Sequence, residues 1–119
     1  MQLKRRKNGT GTVVFLGKGR KWQMLERAFQ RELISDLKQR FDGCVVLKND
    51  ANYIQGIPDI LVLYKDKWAM LETKRSEREH RQPNQSYYVD KLNDMSFAKF
   101  IYPENKEEVL NDLQQSFES

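Results

Sequence analysis

GIPDILVLYKDKWAMLETKRS, Gly56 to Ser76, is the stretch on which the reading of this chain turns. Two apolar runs flank the polar Lys65, Asp66 and Lys67, the pattern of two strands joined by a tight turn. Three charged residues, Asp59, Glu72 and Lys74, sit at strand ends that should be entering a core. Side chains alternate across a strand, so Glu72 and Lys74 share a face with Trp68 and Met70, while Thr73 points to the other. Folding the hairpin at Lys65–Lys67 carries Asp59 back beside them. Two carboxylates and an amine then converge at one end of an otherwise apolar hairpin.

Carboxylates held close together repel, and neither gains by leaving water. A hard divalent cation resolves both difficulties. Magnesium takes oxygen ligands at about 2.1 Å and keeps several waters when one or two carboxylates hold it. A water on such an ion is a better nucleophile, and the ion stabilises charge on a phosphoryl group in transfer. An adjacent lysine can orient the attacking water and offset transition-state charge. Glu-x-Lys or Pro-Asp alone is a common surface pattern and means little. Their joint placement on neighbouring apolar strands is the informative feature.

Working outward, Leu25, Phe29, Leu33, Leu37 and Phe41 recur every four residues, with Ala28 and Ile34 beside them. This spacing predicts a helix from Trp22 to about Phe41, stopped by Asp42-Gly43. CVVLK (44–48) reads as a short buried strand and NDANYIQGIP (49–58) as a loop. A polar connector, SEREHRQPNQ, follows the hairpin. A helix is expected over Pro83–Met95, with Tyr88, Leu92 and Met95 inward. FAKFIY is a strand. Pro103 and Glu104 open a last helix ending near Phe117, with Val109, Leu110 and Leu113 inward. The order helix, strand, strand, strand, helix, strand, helix predicts an α/β domain whose mixed central sheet has helices on its faces. Upstream, Thr12–Gly17 could form a short strand and GKGRK (17–21) a loop. Glycines at 9, 11, 17 and 19 do not fit a phosphate-loop spacing.

A chain of 119 residues is one domain. We divide it into a basic N-terminal arm (1–21) and a folded domain (22–119). One cysteine, Cys44, leaves no intrachain disulfide and points to a reducing cytoplasm; it reads as a small core residue. No stretch approaches transmembrane length. The net charge of +4 hides an asymmetry. The arm holds Lys4, Arg5, Arg6, Lys7, Lys18, Arg20 and Lys21 and no acid, whereas residues 103–119 hold five acids and one lysine. A basic arm suits a polyanionic partner, although such runs are often only solvated.

Pro58-Asp59 followed by Glu72-Thr73-Lys74 resembles the signature of the PD-(D/E)XK nucleases. The element order resembles the core of that superfamily, the restriction-endonuclease-like fold. Gly56 before Pro-Asp, the polar connector and Gln82-Pro83-Asn84-Gln85 opening the next helix resemble the small stand-alone VRR-Nuc domains of bacteriophages. Holliday junction resolvases look like more distant relatives. The resemblance runs from about Trp22 to Phe117. It implies a magnesium-dependent hydrolase of DNA phosphodiesters, with manganese able to substitute, no organic cofactor and commonly a homodimer. It further implies Asp59, Glu72 and the Thr73 backbone carbonyl as metal ligands, joined by an acid from the first helix. Glu26, bordering the apolar stripe, is favoured over Glu32. Gln85 matches a glutamine on the second helix that supports the metal water or the DNA backbone.

Lys48 and Asn49, closing the first strand, are candidate phosphate contacts, and Arg75, Arg78 and Arg81 a candidate DNA-facing wall. Asp50 reads as a loop cap, and His80 and Lys91 as solvated residues. Of Tyr87 and Tyr88, one reads as core and the other as facing a partner or nucleotide. The expected function is a metal-dependent DNA endonuclease acting in the cytoplasm, that of the host cell if the chain is phage-encoded, and selecting branched, flap or junction DNA. A short chain has little room to read bases. The alternatives are a nonselective phage nuclease or nickase, and a non-catalytic DNA-binding protein on the same fold.

Overall fold

The structure is a computed structural model that describes residues 18–119, with side chains from Leu25 onward. The expected Thr12–Gly17 strand and the basic side chains Lys4, Arg5, Arg6, Lys7, Lys18, Arg20 and Lys21 lie outside the described ones. The elements are α1 (Lys18–Arg40), β1 (Val45–Lys48), β2 (Ile60–Tyr64), β3 (Lys67–Thr73), α2 (Pro83–Met95), β4 (Ala98–Ile101) and α3 (Lys106–Glu118). The chain is therefore α/β, and the element order is the expected one.

Helix α1 starts before its expected first residue: Lys18–Lys21, expected within a loop, form its first turn, and Gly17 lies outside the described residues. Glycine in a helix costs only about 1 kcal/mol relative to alanine and does not forbid one. Phe29, Leu33, Leu37 and Phe41 bury the inner stripe, whereas Leu25 stays exposed. Gly43, at φ 86, takes the left-handed conformation that turns the chain after the helix.

The open sheet has the order β1-β2-β3-β4. β1, β2 and β3 pair antiparallel, and β4 joins β3 in parallel through the α2 crossover. The hairpin closes with Tyr64 opposite Lys67, leaving Lys65 and Asp66 as its loop. Lys65 sits at φ 57.

Alternation along β3 divides the molecule into two layers. Ala69 and Leu71 join Ile60 and Val62 beneath α1 and α3, packed against Phe29, Leu33, Leu37, Leu110 and Leu113. Trp68 and Met70 face the opposite way, against Val89 and Leu92 of α2. At the turn end of the hairpin, Phe41, Tyr64 and Phe117 form a ring cluster with centroids 5.1–5.4 Å apart. Lys106 of α3 binds Asp36 at 2.6 Å and Glu32 at 3.3 Å, lashing α3 to α1.

Two expectations about burial are corrected. β1 is not a buried strand but an exposed sheet edge, with Val45 50% accessible. Among the described elements α2 packs chiefly on β3 and β4. Met95 does not face inward; it is 65% exposed. The buried stripe of α2 is Val89 and Leu92, with Tyr88 half-buried beside it.

Candidate functional site

The end of the hairpin opposite the ring cluster carries the charged residues. It is built by the loop before β2, the end of β3, the connector after it, and residues of α1 and α2. The loop before β2 is held by Asn49, whose backbone N–H donates to the Asp59 carbonyl at 2.8 Å. The Asn49 side-chain amide donates to the Pro58 carbonyl, also at 2.8 Å. Gly56 packs this loop onto the start of α2. At φ 92, its missing Cβ would lie 2.8 Å from Asn84 backbone and side-chain atoms.

Asp59 is positioned by β3. Its Oδ2 accepts from the Thr73 backbone N–H at 3.0 Å and the Thr73 hydroxyl at 2.6 Å. Thr73 points to the α1 side, as alternation requires, and its Oγ1 accepts from Gln30 Nε2 at 2.8 Å. A relay thus runs from α1 through Thr73 to Asp59.

Glu72 and Lys74 are 3% and 4% accessible, unusual for ionisable residues. Gln85 joins them. Its Nε2 donates to Glu72 Oε2 at 3.0 Å, and its Oε1 accepts from Lys74 Nζ at 2.8 Å and from the Gln82 backbone N–H at 3.0 Å. These partners dictate the amide orientation, because an ammonium and a backbone N–H can only donate. Lys74 Nζ also donates to the His80 carbonyl at 3.1 Å and lies 3.8 Å from Glu79.

Glu72 Oε1 is the only buried side-chain polar atom without a hydrogen-bond partner among the described residues. Burial, then repulsion from Asp59, pushes the Glu72 carboxyl up to about 8, although Lys74 pulls it the other way. Glu26 is raised too, by burial first and then by repulsion from Glu79 and Asp59. Its electrostatic neighbours, which include Lys74 and Arg75, put it at this end of the sheet. Glu32 instead pairs with Lys106 of α3.

The structure thus brings together Asp59, Glu72, Thr73, Lys74 and Gln85, with Glu26 nearby. Of the suggested phosphate contacts, the Asn49 amide is engaged with Pro58, while Lys48 is exposed at the end of β1. Arg75 pairs with Glu79 at 3.1 Å, Arg78 is exposed, and Arg81 lies over the Phe100 ring, 4.1 Å from its centroid. His80 contributes its backbone carbonyl. Tyr88 packs in the α2 layer, while Tyr87 is exposed and meets the Tyr88 ring edge-on.

Sequence reasoning missed Glu79. It accepts from the Arg75 backbone N–H at 2.7 Å and pairs with both Arg75 and Lys74. The only signal was its spacing of four residues from Arg75 in a connector read as solvated. Gln30 was also missed, because nothing local marks a helical glutamine as the partner of a distant threonine.

Among the described residues, no three His, Cys, Asp or Glu side chains converge closely enough to hold a metal ion by themselves. The donors that could share one are Glu72 and Asp59, with Glu26 nearby. No helix among the described residues is long and apolar enough to cross a membrane. No family model, curated protein or solved structure matches the chain.

Proposed function

We propose that this chain is a metal-dependent DNA endonuclease of the PD-(D/E)XK type, akin to the stand-alone VRR-Nuc domains of phages, with a restriction-endonuclease-like core. The observation that carries the reading is the unpartnered, buried Glu72 oxygen beside Asp59, with Gln85 clamping Glu72 to Lys74. A buried carboxylate must take up a proton or meet a cation. The donor set fits magnesium or manganese, which accept two carboxylates and fill their remaining positions with water. Glu72 and Asp59 would hold the ion, with the Thr73 carbonyl and Glu26 contributing directly or through water. Bound there, it would supply an activated water and charge stabilisation at the scissile phosphate.

The protein's part is orientation. Gln30 and Thr73 fix the Asp59 carboxylate. Gln85 fixes one Glu72 oxygen and leaves the other for the ion. Lys74 has three N–H groups, two of them held by Gln85 and the His80 carbonyl. The third lies on the side of Glu79, 3.8 Å away, and would have to leave that ion pair to meet the attacking water or a phosphate oxygen. Lys48, Arg78 and the basic arm neutralise DNA phosphates, so affinity falls steeply with salt. We further propose selectivity for branched, flap or junction DNA and a homodimer. The exposed apolar face formed by Val45, Leu47 and Leu63 supports the latter as a surface for a second copy.

The test is cleavage of branched, flapped, single-stranded and linear DNA in magnesium by wild type and Lys74→Ala, with circular dichroism confirming the variant's fold. Wild type cuts at least one substrate, and folded Lys74→Ala cuts at least about 100-fold more slowly. No cleavage by wild type in either metal ends the enzyme reading. An unimpaired Lys74→Ala ends the site assignment. Light scattering at twice the monomer mass supports the dimer, and a monomer mass removes it.

A further inference from the structure

Beside the charged cluster lies a feature with no part in the chemistry above. Asn49, Asp50, Tyr53, Ile54 and Ile57, in the loop between β1 and β2, line a recess of about 330 Å³. The loop is internally bonded. Tyr53 and Ile54 N–H groups donate to the Asp50 carbonyl, Ile57 N–H to the Ile54 carbonyl, and Asn52 N–H to Asp50 Oδ1. The recess is joined to the site through its own wall, because Asn49 bonds the Pro58 and Asp59 carbonyls.

Tyr53 is 85% exposed. A ring this exposed contributes almost no burial to the fold, yet it stands on an ordered turn of the loop whose first residue, Asn49, bonds the Asp59 carbonyl. The volume lies at the low end for small-ligand sites, suiting one planar group. Ile54 and Ile57 make the wall apolar. Asp50 repels a phosphate but can accept from a base's exocyclic amine. Lys48, exposed one residue before the recess, offers the positive charge that the adjoining backbone needs.

We propose that this recess is a nucleobase subsite in which Tyr53 stacks on an unpaired base next to the phosphate that a cation on Asp59 and Glu72 would hold. The proposal rests on the nuclease reading for the path of the strand and deepens it by naming the substrate class. Within a continuous duplex a base is stacked between its neighbours and offers no face to a side chain. The subsite therefore selects DNA with an unpaired nucleotide beside the cut.

The probes are a fluorescent DNA with a single-stranded flap and the matching uninterrupted duplex, each titrated by anisotropy in EDTA. Wild type is compared with Tyr53→Ala and Tyr53→Trp. Stacking on one aromatic is lost on truncation to alanine with a weakening of about fivefold to 150-fold. We expect that loss on the flap alone, retention by Tyr53→Trp, and an unchanged Tm for both variants. No binding to the flap, no loss in Tyr53→Ala, or an equal loss on duplex overturns the subsite. Cleavage of the same two DNAs in magnesium separates the two readings. If wild type cuts neither while Tyr53 still governs flap binding, the nuclease reading falls and the subsite stands. If wild type cuts and Tyr53→Ala leaves the flap-to-duplex ratio unchanged, the subsite falls and the nuclease reading stands.

Discussion

Without a bound cation, Glu72 makes this protein less stable as pH rises. Its carboxyl has an ordinary pKa of 4.5 in the unfolded chain and one of about 8 in the fold. Below the lower value both states are protonated and the group has no effect on the slope. Between the two, unfolding releases a proton, so each rise in pH favours the unfolded chain. Over the whole window the loss is about 5 kcal/mol. A domain of this size is stabilised by only about 5–15 kcal/mol in total. Thermal unfolding in EDTA should therefore show Tm falling by about 20 °C between pH 5 and pH 8.5. Raised Glu26 adds a smaller fall of the same sign. Glu72→Gln leaves a buried amide with an unpaired group, so its absolute stability is not the readout; its pH slope is, and should flatten. On the proposed reading, magnesium should bind the ionised form and restore stability more at pH 8 than at pH 5, by about 2.7 kcal/mol at a concentration of 100 Kd. A wild-type Tm that is flat or rising from pH 5 to 8 in EDTA refutes the reasoning, as does an unchanged slope in Glu72→Gln.

Gly56→Ala forces a side chain into a left-handed backbone and into contact with Asn84, which should cost about 2–3 kcal/mol by urea unfolding. Cleavage should fall further than the unfolded fraction explains, because the residue displaced adjoins Gln85. Thr73→Val removes the hydroxyl from Asp59 and strands Gln30, costing about 1–3 kcal/mol and weakening magnesium binding about 10–100-fold by calorimetry. Lys65→Gly relieves the positive φ in the hairpin loop and should raise stability by about 0.5–1 kcal/mol, with DNA cleavage unchanged because the loop lies at the opposite end of the hairpin.

The sequence shows its hairpin and its site most clearly where strict local rules apply. Alternation alone put Glu72 and Lys74 on one face and Thr73 on the other, and the Gln82-Pro83 signal marked α2 to its first residue. The errors arose where local rules are weak. GKGRK read as a loop, but a helix tolerates glycine at modest cost, and α1 runs from Lys18 through Gly19. An apolar run such as Val45–Leu47 looks the same on a covered strand and on an open edge, because what covers it is decided by distant elements. The stripe of α2 was misjudged: Met95 was taken as inward in place of Val89, since three apolar residues in a short helix fix its rotation poorly. Glu79 was invisible for a different reason. Its contact with Lys74 comes from the path of the connector, which has no periodicity to read.

Gln85 belongs to two structures at once. The carbonyl that accepts from Gln82 N–H at the beginning of α2 also holds Lys74, and the amide beside it holds Glu72. A frayed first turn would take Gln85 from both charges together, leaving Lys74 with the His80 carbonyl and Glu79. Alignment of Glu72 and Lys74 through Gln85 therefore requires the first turn of α2 to be closed, and the opening rate of that turn sets an upper limit on how long Gln85 holds the two together. Amide exchange at Gln85 and Ser86 would time that opening.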